Sequence, residues 1–313
     1  MKIPKLSLII LIWLISQIAN AAIDKKTEVF AVKDNIELKV DIYTNDTINS
    51  AKKPCLIFVF GGGFKDGNRD NPNNLDYINY FANKGFVVAS IDYRLGMKGV
   101  NASGIKFVKA IQKSIDLAVS DLFSATNYLL ENAKKYNIDT TRIIISGSSA
   151  GAITVLQADY ELNDHKESAD ILPDDFRYAG VISFSGGVLS HEGLPSYSQR
   201  PAPTLFFHGS SDKLVPYGKV QVFKIGFFGS DKLAQQFKKQ GYPYMFYSME
   251  GNGHDVATYP LKEFHSEIDM FIQYYVIEQR QWMVDINLKD KLRKSDTSLN
   301  IKKYLICEVY LLD

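Results

Sequence analysis

Apolar residues fall into two rhythms along the chain. Over residues 28–33 and 36–43 they alternate with polar ones, broken by the pair Asp34-Asn35, which predicts two half-buried strands joined by a tight turn. Residues 55–60, 86–91 and 143–145 are instead continuous apolar runs, each ending at glycine or a polar break. Such runs mark strands covered on both faces. Stretches of helical spacing separate them: residues 77–83, and the long 109–135, where Ile111, Ile115, Ala118, Leu122 and Leu129 share one side. The alternation continues with strands over 181–184, 204–207 and 244–249 and helices over 232–239 and 261–277. The predicted fold class is α/β, a mostly parallel, doubly wound sheet with an N-terminal antiparallel hairpin. Sheets of this kind place their chemistry at the carboxyl ends of the strands, so the residues just after each run carry the functional question.

Four such residue groups stand out. Residues 143–145 lead into Gly147-Ser148-Ser149-Ala150-Gly151 and then a helix-like 152–160. A nucleophile on a sharp strand-to-helix turn adopts a strained backbone, and glycines two residues to either side avoid clashes with the neighbouring strand and helix. Ser149 is the candidate nucleophile; Ser146 and Ser148 lack glycines at both offsets. The Ala150 N–H, at the helix start, is a candidate oxyanion donor. Earlier, the run over 56–60 enters Gly61-Gly62-Gly63-Phe64. The Gly62 and Gly63 N–H groups are the further oxyanion candidates, since a phosphate-binding loop would need a Lys-Ser/Thr ending that is missing. Of the five histidines, His254 fits a base best, in the loop after the 244–249 strand and before the last helix. Asp212, just beyond the 204–207 strand, is placed to accept its Nδ1–H. Asp255 should point elsewhere, because successive side chains diverge. Phe64, Phe227 and Phe228 are candidates for an acyl or aryl pocket.

The termini and the charge refine this picture. Lys2 and Lys5 precede an apolar run over 6–18, and Ala19-Asn20-Ala21 has the small-x-small pattern of a signal-peptidase site. We therefore expect residues 1–21 to be a signal peptide and the mature protein to be secreted or periplasmic. The apolar run is shorter than the roughly 20 residues that span a bilayer, so no stable membrane insertion is expected after cleavage. A single α/β domain is expected over 22–279, with 280–313 an extension outside the core pattern for which an added edge strand, a partner contact and an incidental extension all stay open. The acidic, irregular stretch 163–177 reads as a small insertion over the site. The net charge of +1 offers no field for nucleic acid or an anionic membrane, which leaves a small or neutral partner. Cys55 and Cys307 are too few for a disulfide scaffold. With no His-x-x-x-His or paired-Cys spacing, neither a metal nor a cofactor is expected.

With these residues placed, the chain resembles the α/β-hydrolase superfamily, and within it the carboxylesterase-like branch with a His-Gly-Gly-Gly oxyanion loop, over roughly residues 28–277. Phe60-Gly61-Gly62-Gly63-Phe64, Asp92-Tyr93-Arg94-Leu95, Gly147-Ser148-Ser149-Ala150-Gly151, His208-Gly209-Ser210-Ser211-Asp212 and Gly253-His254 stand where that branch has its motifs. The departure is Phe60, where the branch has a histidine bracing the glycine loop. The resemblance implies a serine carboxylic-ester hydrolase with Ser149, Asp212 and His254 as triad, acting through an acyl-enzyme on a small-molecule or carbohydrate ester. Bacterial relatives of this kind include exported carbohydrate esterases that remove acetyl or feruloyl groups. Two other readings stay open. A serine peptidase of the prolyl-oligopeptidase type shares the triad order, but relies on a tyrosine at its oxyanion site and carries a large additional domain. A hydrolase fold used only for binding would generally have lost a triad member.

Overall fold

The computed structural model describes residues 23–48, 52–295, 297–298 and 301. The expected leader and Cys307 lie outside them. The alternating N-terminal segments form β1 (Asp24–Lys33) and β2 (Ile36–Thr44), an antiparallel hairpin. Its turn residues Asp34 and Asn35 have φ of 50° and 61°, the left-handed pair that a two-residue turn needs to match strand twist. The chain continues through β3 (Lys53–Val59), β4 (Val87–Ile91), β5 (Ile138–Ser148), β6 (Gly180–Phe184), β7 (Gly187–Ser190), β8 (Thr204–Gly209), β9 (Lys219–Val222), β10 (Ile225–Gly229), β11 (Tyr244–Met249) and β12 (Met283–Leu288).

Nine of these strands form one sheet, in the order β1-β2-β4-β3-β5-β6-β8-β11-β12. Only the β1/β2 and β2/β4 pairings are antiparallel; the others are parallel. The continuous apolar runs occupy its centre, and β4 is buried at every position. Cys55, fully buried and unbridged in β3, has its thiol pushed up to about 12 by burial. Crossover helices cover the sheet: α1 (Leu75–Asn83), α2 (Gly104–Glu131), α3 (Ala150–Asn163), α4 (Ser230–Gln240) and α5 (His265–Phe271). The doubly wound expectation therefore holds. A small antiparallel sheet, β7-β10-β9, lies apart from the main one. No helix among the described residues is long and apolar enough to cross a membrane.

Two segments differ from the sequence reading, and a third takes one of the places it left open. Residues 261–277 are not one helix: a short turn over Pro260–Glu263 ends at Phe264, α5 follows, and Ile272–Ile277 is π-helical. The break is held by packing. Phe264 meets the rings of Phe207 and Tyr247, and His265 stacks on Tyr80 while donating to the Leu261 carbonyl at 2.8 Å. The stretch 163–177 does not cover the site. It packs against α2 and the C-terminal end of α3, about 20 Å along that helix from Ser149 at 1.5 Å per residue. From the terminal extension, Met283–Leu288 joins the main sheet as edge strand β12, parallel to β11.

Candidate active site

Ser149 sits at the tip of β5 with φ 52° and ψ −116°, a left-handed conformation that costs a non-glycine residue roughly 1–3 kcal/mol. The flanking glycines make the turn possible by allowing backbone to approach backbone. A Cβ on Gly147 would lie 2.3 Å from Gly151, and one on Gly151 would lie 2.0 Å from the Val59 carbonyl oxygen. The Ser149 N–H donates to the Phe184 carbonyl at 2.9 Å, which ties the elbow to β6. Its two serine neighbours are engaged elsewhere. Ser148 donates to the Ala257 carbonyl at 2.6 Å and Ser146 pairs with Tyr77 at 2.8 Å.

The Ser149 hydroxyl meets His254 Nε2 at 2.8 Å, and His254 Nδ1 meets Asp212 Oδ2 at 2.8 Å. With the ring proton on Nδ1 shared with the carboxylate, Nε2 is the lone pair that receives the serine hydroxyl. Three residues far apart in sequence thus form one continuous relay. Asp212 is buried, which by itself would raise its pKa. Hydrogen bonds from His208 and His254 outweigh burial and hold the carboxyl well below the usual range. Its other oxygen accepts the N–H groups of Leu214 and Val215 at 2.9 and 3.0 Å. Asp255 does point elsewhere, capping its own loop by accepting the Gly253 N–H at 3.0 Å.

The glycine loop lies against the elbow. A Cβ on Gly61 would sit 3.2 Å from that of Ser149, so bare backbone is what fits. Gly62 and Gly63 have φ of 129° and 61°, and their N–H groups donate to no acceptor among the described residues. The Ala150 N–H, first in α3, is free as at any helix start. Phe60 replaces the bracing histidine with stacking. Its ring lies on Tyr93 at 4.5 Å, and the Tyr93 hydroxyl donates to the Phe60 carbonyl at 3.1 Å. Arg69, Arg94 and Asp92 pin the surrounding segments through ion pairs with Asp41, Asp121 and each other.

Ser149 and His254 open onto a cleft of about 770 Å³. One wall is apolar, from Met97, Phe107, Ile111, Ile153 and Phe227; the rim carries Asn71, Asn73, Asn74 and Asn101. Of the three pocket candidates, Phe64 and Phe227 line this cleft and Phe228 does not. Phe227 and Phe228 are successive strand residues and point to opposite faces, so only one of the two could serve.

Two contributors escaped the sequence reading. His208, named above only as part of a motif, lies fully buried beneath Asp212 with Nε2 3.5 Å from its carboxylate and Nδ1 2.8 Å from the Ser230 hydroxyl. Gly209 lets the acid and base loops touch: a Cβ there would meet the Gly253 and Asn252 carbonyls at 2.3 and 2.4 Å. Its place in His208-Gly209-Ser210-Ser211-Asp212 was the available signal.

Comparisons with known proteins bear on the fold and on the first part of the site. The BD-FAE family model matches residues 40–188, a stretch that includes the glycine loop and the elbow but ends before Asp212 and His254. The chain is 30% identical over 119 residues to a Dictyostelium discoideum protein called Crystal protein, covering 38% of this chain and 20% of that one. It is 29% identical over 106 residues to Gut esterase 1 of Caenorhabditis elegans, covering 34% and 18%. The matched stretch therefore spans only about a fifth of those relatives' length. Among solved structures, apo esterase 2 of Thermogutta terrifontis superposes with a TM-score of 0.58 at 21% identity, over 81% of this chain and 94% of that one. The same esterase has also been solved phosphorylated by paraoxon.

Proposed function

We propose, from the premise that the chain is an α/β-hydrolase of the carboxylesterase-like kind, that it is an exported serine carboxylic-ester hydrolase working through an acyl-enzyme. The observation that carries this reading is the unbroken relay from the Ser149 hydroxyl through His254 to Asp212, with 2.8 Å at each step. His254 Nε2 takes the serine proton as Oγ attacks the ester carbonyl. Asp212, held anionic, stabilises the imidazolium that forms and keeps Nδ1–H directed at itself. The tetrahedral oxyanion settles on the N–H groups of Gly62, Gly63 and Ala150, donors already fixed in place. His254 then protonates the departing alcohol, and water repeats the cycle on the acyl-enzyme.

The cleft supports a substrate with two unlike ends. Its apolar wall suits an acyl or aryl group, while the asparagine rim suits a hydroxyl-rich alcohol. An acetylated or feruloylated carbohydrate has both, and an exported enzyme would meet such a substrate. The peptidase alternative is the weaker one, because no tyrosine is among the described residues lining the cleft. A protein used only for binding would have no need of a strained Ser149.

Ser149→Ala should abolish turnover of an aryl acetate and labelling by a fluorophosphonate, with the thermal melt nearly unchanged. Retained turnover would reject the assignment. Activity across acetyl, butyryl and feruloyl esters reads the acyl preference, and cleavage of peptide nitroanilides in preference to all of them would favour the peptidase.

A further inference from the structure

The stretch after β12 turns back over the ends of β8 and β11 and meets the loops carrying the acid and the base. Glu250, just past β11, is held by the Leu288 carbonyl and Lys289. The Arg293 guanidinium lies 3.8 Å over the Tyr259 ring and pairs with Glu263. Ile301 donates its N–H to the Lys213 carbonyl at 2.8 Å, one residue beyond Asp212, and lines the cleft. The sharpest contact is Ser295, whose hydroxyl accepts the Gly253 N–H at 2.6 Å and donates to the Asp255 carboxylate at 2.5 Å. Gly253 and Asp255 are the two chain neighbours of His254.

The position of the base therefore depends on a residue about forty positions downstream. Asp255 already accepts the Gly253 N–H and the Asn252 side-chain amide, and the Ser295 hydroxyl closes these contacts into a ring around His254. A base held by one short loop samples several ring orientations, and a shift of about 1 Å at the reacting atoms costs up to roughly 10²-fold in rate. We propose that Ser295 is a positioning residue for His254: it fixes the loop so that Nε2 faces the Ser149 hydroxyl while Nδ1–H stays on Asp212. The C-terminal extension is thereby part of the active-site architecture and not an appendage to the sheet edge. The turnover consequence rests on the hydrolase reading above, whereas the geometric claim does not.

The test compares Ser295→Ala and Ser295→Thr in the full chain, measuring kcat and KM on an aryl acetate and the low-field proton resonance of the His254–Asp212 hydrogen bond. Ser295→Ala should lower kcat about tenfold with KM within about twofold, and should shift or broaden the resonance. Ser295→Thr, which keeps the hydroxyl, should retain the parental values. An unmoved resonance in the alanine variant overturns the proposal, as does a rise in KM alone or a loss in the threonine variant equal to that in alanine. The resonance needs no turnover, so a parent chain that hydrolyses no ester would sink the functional reading while the spectrum still decides this one.

Discussion

Around Ser149 the constraints are steric and lie in the backbone: bare glycines against Val59 and Gly151, a left-handed serine, a helix that starts at once. Around His254 they are hydrogen bonds between loops that are distant in sequence, from Asp212, Ser295 and the chain segments beside them. The first region is a local consequence of a few residues meeting buried strands, and it falls within the stretch matched by the family model. The second exists only after the far half of the chain has folded onto the same sheet rim. Damage should differ accordingly: substitutions of the glycines flanking Ser149 should cost stability, and substitutions among the loop contacts should cost rate.

Among the loop contacts the largest expected effect is at the acid. Asp212→Asn keeps the shape but presents an amide N–H or a weaker acceptor to Nδ1, and kcat should fall by about 10⁴-fold, with circular dichroism unchanged. A loss under tenfold would mean that His254 is oriented by something else. Gly151→Ala should act in the other currency. A methyl group 2.0 Å from the Val59 carbonyl oxygen forces β3 and α3 apart and should cost about 3 kcal/mol or more, read as a lowered midpoint of urea unfolding. A parental midpoint would show that the elbow tolerates expansion and would erase the contrast between the two regions.

The smallest effect on turnover is expected at the far end of the nucleophile helix, where the readout is the pH dependence of stability. Asp159 is buried, and burial, only partly offset by the Ala202 N–H and Asn163, pushes its carboxyl up to about 7. The folded state thus binds a proton that the unfolded chain, with its carboxyl near 3.8, has already released. Stability should decline as pH rises from about 4 to about 7 and level off above that. Asp159→Asn should flatten this slope in melts taken across that range while leaving the relay intact, and an unchanged slope would assign the pH dependence elsewhere.

How much could be read in advance follows the same division. The hairpin, the buried parallel strands and the elbow are local patterns, because a left-handed turn pair or a glycine two residues from a serine has few other uses at a strand end. His254 and Asp212 were legible through their places after late strands. The role of His208 was signalled only by its motif with Asp212, and Ser295 was not legible at all, since nothing near a half-buried serine announces a partner reached only through the fold. Phe228 was misassigned because strand phase, not residue type, decides which of two adjacent rings faces the cleft. The stretch 163–177 was misplaced for a related reason: composition signals irregularity, but the length of α3 determines which end of the helix it reaches.

Taken alone, the amino-acid order determined the layered α/β architecture, the strained serine and the glycine loop beside it, because burial periodicity and backbone sterics act over a handful of neighbours. The tertiary structure decided which imidazole meets that serine, what keeps the carboxylate anionic, and that the last strand and the segment beyond it brace the base. Hydrogen bonds between loops depend on distances set by every intervening element, and no short window of sequence contains those distances.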